Sequence, residues 1–216
     1  LADIGTASAD LALIGGGSGL AMGLPDNFRR AGLLADTGPA DARPRVDGLA
    51  AVLAGSCSEA TLGQIAAMAE RRPHLALDPR ALARDPDGEV GRALAWAEDR
   101  ISDGPVLIAS SAAPARVREI QAQFGRAQAG ALVEDAMAAI ARGLVERGVR
   151  RLVVAGGETS GAVVNALGVT ALRIGPPIDP GVPWTTSLGE PTLALALKSG
   201  NFGARDFFLK AFERLP

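Results

Sequence analysis

The chain has almost none of the side chains that disulfide or metal chemistry uses: 216 residues contain a single cysteine, Cys57, and a single histidine, His74. One cysteine excludes an internal disulfide framework. The pair falls short of the three or four Cys/His ligands that a zinc site needs. Chemistry must come from oxygen and backbone groups. No run of ~18 apolar residues exists, because Glu134, Asp135 and Arg142 interrupt the longest candidate, so a membrane span is excluded. An excess of one charge is also missing. Twenty-two basic residues stand against 24 acidic ones, and the pairs Arg29-Arg30, Arg71-Arg72 and Arg150-Arg151 are scattered rather than gathered in a stripe. Nucleic acid is therefore not an expected partner. Residues Leu1 to Asp10 lack an initiator methionine, a basic start and a continuous apolar run. They do not read as a signal peptide but as the middle of a longer chain, and a cytoplasmic location is the default.

The familiar nucleotide fingerprints are absent as well. There is no G-x-x-x-x-G-K-[ST], and Gly15 to Gly23 fails G-x-G-x-x-G because Leu20 stands where the last glycine belongs. A P-loop NTPase and a dinucleotide dehydrogenase are disfavoured.

What is present is a repeating unit: a short apolar run, then a loop of Gly and Ser, then a segment with helical periodicity. The runs are Leu11–Ile14 before Gly15 to Gly19, Ala50–Ala54 before Gly55-Ser56-Cys57-Ser58, and Val106–Ala109 before Ser110-Ser111. Leu152–Ala155 before Gly156 to Gly161 and Leu193–Leu197 before Lys198 to Gly203 complete the set. Strands apolar on both faces belong to a parallel sheet covered on both sides. The spacing of Leu132, Ala136, Met137, Ile140 and Leu144 predicts a crossover helix over Ala131 to Val145, stopped by Gly148. The expected class is α/β: an open, mainly parallel sheet with helices on both faces and Gly/Ser-rich loops at the carboxyl ends of the strands. With 48% hydrophobic residues the chain can bury one sizeable core. Gly32 to Asp47, with Pro39 and Pro44, reads as a linker, and Gly175 to Gly189, with Pro176, Pro177, Pro180 and Pro183, reads as irregular.

In such a sheet ligands bind beyond the carboxyl ends of the strands, so the Gly/Ser loops should converge there. Each opens a helix whose free N–H groups favour an anion, and glycine lets the backbone approach a phosphate. Gly156 and Gly157, followed by Glu158-Thr159-Ser160-Gly161, are more glycines than one turn needs. Ser56 with Glu59 three residues on fits a capping box, which accounts for the Ser56 and Ser58 loop without a ligand. Lys198 ends a strand just before Ser199-Gly200-Asn201, so its ammonium either reaches a phosphate or is simply solvated. His74, with no neighbouring carboxylate or nucleophile in sequence, is expected at the surface. Cys57 is expected to be a small packed residue, and Ser110 and Ser111 before Pro114 to shape a helix start.

Three runs carry a family resemblance: Leu49 to Ser58, Arg151 to Gly161 (RLVVAGGETSG) and Leu197 to Gly203 (LKSGNFG). Together they resemble the C-terminal nucleotide-binding region of the four-carbon sugar-acid kinases, the 3-oxotetronate, threonate and erythronate kinases. The resemblance covers nearly the whole chain, with Ile174 to Trp184 also alike in character. It implies ATP-dependent phosphorylation of a terminal hydroxyl of a four-carbon sugar acid, with Mg²⁺ entering with ATP and no metal site of the chain's own. By the resemblance, ATP is held by Ser56 and Ser58, by Gly156, Gly157, Glu158, Thr159 and Ser160, and by Gly200 with Asn201 and Lys198. In that family an N-terminal domain with an Asp-Asp motif binds the sugar acid and carries the catalytic base. Nothing here matches it, so residues 1–31 are expected to be the end of that domain and the crossing into a nucleotide-binding domain at 32–216. The chain alone is then expected to bind nucleotide without catalysing transfer. A non-catalytic nucleotide or sugar-phosphate regulatory module is the alternative, and an apolar balance with open sheet edges is compatible with a homodimer.

Overall fold

A computed structural model describes residues 2–16, 18–35, 45–110 and 125–215 of the chain. They fall into two units, Leu1–Ala40 and Asp41–Pro216.

The first unit consists of α1 (Ala2–Ala7), α2 (Ser18–Ala21) and α3 (Leu24–Arg30). Gly5 of α1 lies directly on the backbone of Gly23, where any Cβ would collide, and Asn27 Nδ2 donates to Gly5 O at 2.6 Å. Leu11–Ile14 is not a strand, contrary to the sequence pattern. Leu13 is 90% exposed and pairs with no strand among the described residues, so apolar character alone does not make a strand where no neighbour offers a ladder.

The second unit is a seven-stranded sheet in the order β2-β3-β1-β4-β7-β6-β5. Its strands are β1 (Leu49–Ala54), β2 (His74–Ala76), β3 (Val106–Ala109), β4 (Val149–Ala155), β5 (Leu172–Asp179), β6 (Val182–Ser187) and β7 (Ala194–Lys198). β2, β3, β1, β4 and β7 run parallel, whereas β6 and β5 are antiparallel additions beyond β7. The helices are α4 (Glu59–Ala69), α5 (Pro79–Arg84), α6 (Pro86–Glu98), α7 (Arg126–Glu146), α8 (Gly157–Ala166) and α9 (Phe207–Glu213). Successive residues of the central strands are buried on opposite faces. Ala51, Leu53, Leu152 and Val154 pack with Leu82, Ala93, Met137 and Val163 of α5 to α8. Val52, Ala54, Val153 and Ala155 pack with Met68, Phe207 and Phe208 of α4 and α9. This double burial is why the strands are continuous apolar runs. The predicted crossover helix is longer than its periodic core, and Gly148 (φ +93) follows it in the conformation expected of a stop.

One expectation is overturned. Gly175 to Gly189 is not irregular but holds most of the β5–β6 hairpin, with Pro177 opposite Pro183. β5 is the outermost strand, where half the backbone needs no ladder partner, and the register shifts on either side of Pro177 absorb the missing N–H. β6 pairs with β7 through Thr185 and Thr186, beyond its proline. Trp184, fully buried, fixes the hairpin to α9 by donating from Nε1 to Ala211 O at 2.9 Å.

Candidate functional site

Register brings the strand ends into one row: Ala109 pairs with Ala54, Ala54 with Ala155, and Ala155 with Lys198. With adjacent strands about 4.8 Å apart, the loops after β1, β4 and β7 begin side by side within roughly 10 Å. α4 leaves β1 toward one face and α8 leaves β4 toward the other. A crevice opens where neighbouring connections diverge in this way, and it is the usual ligand position in such sheets.

The loop after β4 is built from backbone. Gly156 has φ +131, a conformation that L side chains rarely adopt, and a Cβ there would press on Thr159 Oγ1 at 2.8 Å and on Ser56 N at 3.3 Å. Its N–H donates to Lys198 O at 2.9 Å, so it is not free for a ligand; the sequence expectation of a phosphate-binding N–H at Gly156 is corrected here. The next three amides, of Gly157, Glu158 and Thr159, open α8 and have no acceptor among the described residues, while Ser160 N–H returns to Gly156 O at 2.9 Å. Nothing lies within 4 Å of the position a Cβ would take at Gly157. Glu158 is exposed, whereas Thr159 is buried against Gly55 and Gly156. The Ser160 hydroxyl is shielded from solvent and has no hydrogen-bond partner among the described residues.

The loop after β1 differs from its predicted capping. Gly55 N–H and Ser56 N–H both donate to Ala155 O, at 3.0 and 3.1 Å, so the chain follows β4 through residue 56 and the helix starts later. The cap is Ser58, whose Oγ accepts from Thr61 N–H at 3.2 Å; Ser56 Oγ accepts from Ser58 N–H at 3.2 Å. Cys57 is half-buried in this loop.

The loop after β7 is held by side chains. Gly200 packs directly on the Ser56 and Ser58 hydroxyls, where a Cβ would collide with both. Thr61, fully buried on α4, donates from Oγ1 to Gly200 O at 2.8 Å. Lys198 is 1% exposed, and its Nζ donates to Thr61 Oγ1 and to Gly200 O, each at 3.0 Å. Among the described residues no carboxylate pairs with it, and burial pulls the amine down from 10.5 to about 8. The solvated-lysine reading is thereby excluded. Gln64, one turn after Thr61, donates from Nε2 to Phe202 O, Gly203 O and Ala204 O, each at 3.0 Å. Asp179 of β5 accepts from Ala204 N–H at 2.8 Å and pairs with Lys210 of α9. Burial pushes its carboxyl up, but the hydrogen bonds from Lys210 and Ala204 and the charges of Lys210 and Arg214 outweigh this and hold it below its ordinary value. Asn201 is exposed at the loop tip.

The structure thus brings the loops carrying Ser56, Ser58, Gly157, Gly200 and Lys198 to one edge. His74 lies on the outer strand β2 and is exposed, as expected. Ser110 is buried after β3, its N–H donating to Ala54 O at 2.9 Å; Ser111 and Pro114 lie outside the described residues. Thr61 and Gln64 escaped the sequence reading. A polar residue on the inner face of a helix is their only signal, and it requires knowing which face is inward. Among the described residues no cluster of three or more His, Cys, Asp or Glu side chains stands ready for a metal ion.

Sequence comparison decides the family. A family of sequences described as a nucleotide-binding C-terminal domain matches residues 51–208. The chain belongs to this family. The chain is 55% identical over 213 residues to the 3-oxo-tetronate kinase of Cupriavidus necator, covering 98% of this chain and 49% of that protein. It is 56% identical over 213 residues to the 3-oxo-tetronate kinase of Pseudomonas fluorescens, with 98% and 49% covered. The chain spans about half the length of these curated relatives. Among solved structures, a Haemophilus influenzae protein is 35% identical with a TM-score of 0.81, covering 100% of this chain and 51% of that one.

Proposed function

We propose that this chain is the ATP-binding half of a kinase that phosphorylates a terminal hydroxyl of a four-carbon sugar acid, 3-oxotetronate being the first substrate to test. One observation carries the nucleotide reading: three unclaimed amides at the start of α8, beside a glycine with open space around it, at the edge where α4 and α8 diverge. A phosphate fits that donor set, because amide dipoles at a helix start favour an anion and Gly157 offers no side chain to exclude it. In this reading Gly157, Glu158 and Thr159 supply backbone N–H groups, and Gly200 supplies another from across the row. Ser56 and Ser160 supply hydroxyls, Ser58, whose proton goes to Thr61 Oγ1, holds the loop beside them, Asn201 closes the tip and Lys198 supplies positive charge. ATP would bring the phosphoryl group, with Mg²⁺ neutralising its oxygens as phosphoryl transfer requires.

The substrate class rests on the similarity to 3-oxo-tetronate kinases. Binding of the sugar acid and removal of its proton are assigned to the half of those relatives that this chain does not match. Residues 1–31 are read as the crossing into the nucleotide-binding domain. The proposed setting is the cytoplasm; among the described residues no helix is long and apolar enough to cross a membrane. A homodimer stays part of the proposal, with sedimentation velocity as its check.

Calorimetric titration of the chain with Mg-ATP, and separately with a sugar phosphate, tests the reading. Saturable Mg-ATP binding is expected, weakened at least tenfold by Gly157→Val while the urea midpoint stays unchanged. Tight sugar-phosphate binding without ATP binding would instead identify a regulatory module.

A further inference from the structure

The hydroxyl of Thr61 is used to capacity. It donates its one proton to Gly200 O, and it accepts from Lys198 Nζ at 3.0 Å and from Ser58 Oγ at 3.1 Å. Ser58 Oγ in turn accepts the Thr61 N–H that it caps. One side chain therefore joins the start of α4, the end of β7 and the loop that follows it, at a contact where Gly200 leaves no room for a Cβ. A purely structural junction would be cheaper if apolar, since a buried ammonium without a counter-charge destabilises the fold. Lys198 is such an ammonium. It has three protons, and two acceptors account for its hydrogen bonds.

We propose that Thr61 and Lys198 form a buried hydroxyl–ammonium brace that presets the Ser199–Ala204 loop for a nucleotide phosphate, Thr61 being a positioning residue and the Lys198 ammonium the charge a phosphate meets. The inference rests on the nucleotide reading above and deepens it. Groups packed on the ammonium are Thr61 from α4, the Phe208 ring from α9 with its centroid at 5.9 Å, and Gly200 of its own loop. None of these titrates. Lys210 of α9 is itself engaged with Asp179 of β5 and with Asp206, the cap of α9. A bound phosphate would become the counter-charge and raise the affinity of the amine for its proton, so binding near pH 8.5 takes up a proton.

The test is titration of the wild-type, Thr61→Val, Thr61→Ser and Lys198→Met chains with Mg-ATP at pH 8.5, each in two buffers of different ionisation enthalpy. Thr61→Val is expected to weaken binding at least tenfold and Thr61→Ser to stay within threefold of wild type. Proton uptake is expected in the wild type and absent in Lys198→Met. Circular dichroism and urea midpoints establish which variants fold, and Lys198→Met and Thr61→Ser carry the test should Thr61→Val not fold. Unchanged affinity in Thr61→Val, a larger than tenfold loss in Thr61→Ser, or undiminished proton uptake in Lys198→Met would overturn the brace while leaving the nucleotide reading intact. A wild-type chain that ignores Mg-ATP would overturn both.

Discussion

The loops after β4 and β7 start one strand apart and are built on opposite plans. The first is held by backbone: a glycine at φ +131, a ladder bond from Gly156 N–H to Lys198 O, and the helix that follows at once. The second is held by side chains drawn from three other elements, Thr61 and Gln64 on α4, Asp179 on β5 and Lys210 on α9. The first plan leaves its amides bare and its outer surface open. The second spends buried polar groups to fix a loop that has little regular structure of its own. A rigid cradle and a braced flap meet across Ser56 and Ser58, so the two sides of the crevice should fail in different ways.

The largest effect is expected from Gly156→Val, which combines a forbidding φ with a clash on Thr159 and Ser56. Urea denaturation should show a loss of about 3 kcal/mol or more, spread over the whole unit because β4 is central. Next is Gln64→Ala, which leaves three carbonyls of the braced loop without their donor. A loss of about 2 kcal/mol is expected, with amide exchange accelerated at residues 202–206 and unchanged at 156–160. Equal acceleration in both loops would break the comparison.

An effect of similar size is the pH dependence of stability. The Lys198 amine sits at about 8 in the fold and at 10.5 unfolded. Between those values the unfolded chain holds the extra proton, so stability rises with pH across this window and the cost of the charged form is fully felt below pH 8. A rise on the order of 2 kcal/mol from pH 8 to 10.5 is expected, and it should vanish in Lys198→Met. A slope that survives this substitution would assign the titration elsewhere.

The parallel part of the fold was legible because double burial leaves a plain trace: Val106–Ala109 and Leu152–Ala155 are apolar without alternation, and each precedes glycine or serine. The cradle was legible for the same reason, since Gly156 and Gly157 announce a backbone-built loop. The antiparallel hairpin was not. Pro176 and Pro177 argue against a strand only in the interior of a sheet, and position in the sheet is not written in the local sequence. Leu11–Ile14 shows the converse, four apolar residues that look like a strand and pair with none among the described residues. The brace was hidden most completely. Thr61 and Gln64 are ordinary helix residues until their inward direction is known, and Lys198 reads equally well as a phosphate contact or as a solvated lysine at a strand end. Polar residues that hold a site together carry no motif, because their partners are backbone carbonyls that any sequence provides.

The bond from Thr61 to Gly200 spans 139 positions of the chain. Its two ends belong to the first helix of the sheet domain and to the loop after its last strand. During synthesis neither loop is complete early: the cradle after β4 lacks the Lys198 O that its Gly156 N–H donates to, and the flap has nothing to close against, until β7 has been added beside β4. A nascent chain lacking β7 would thus present the glycines and amides of the proposed site without the contacts that hold them together.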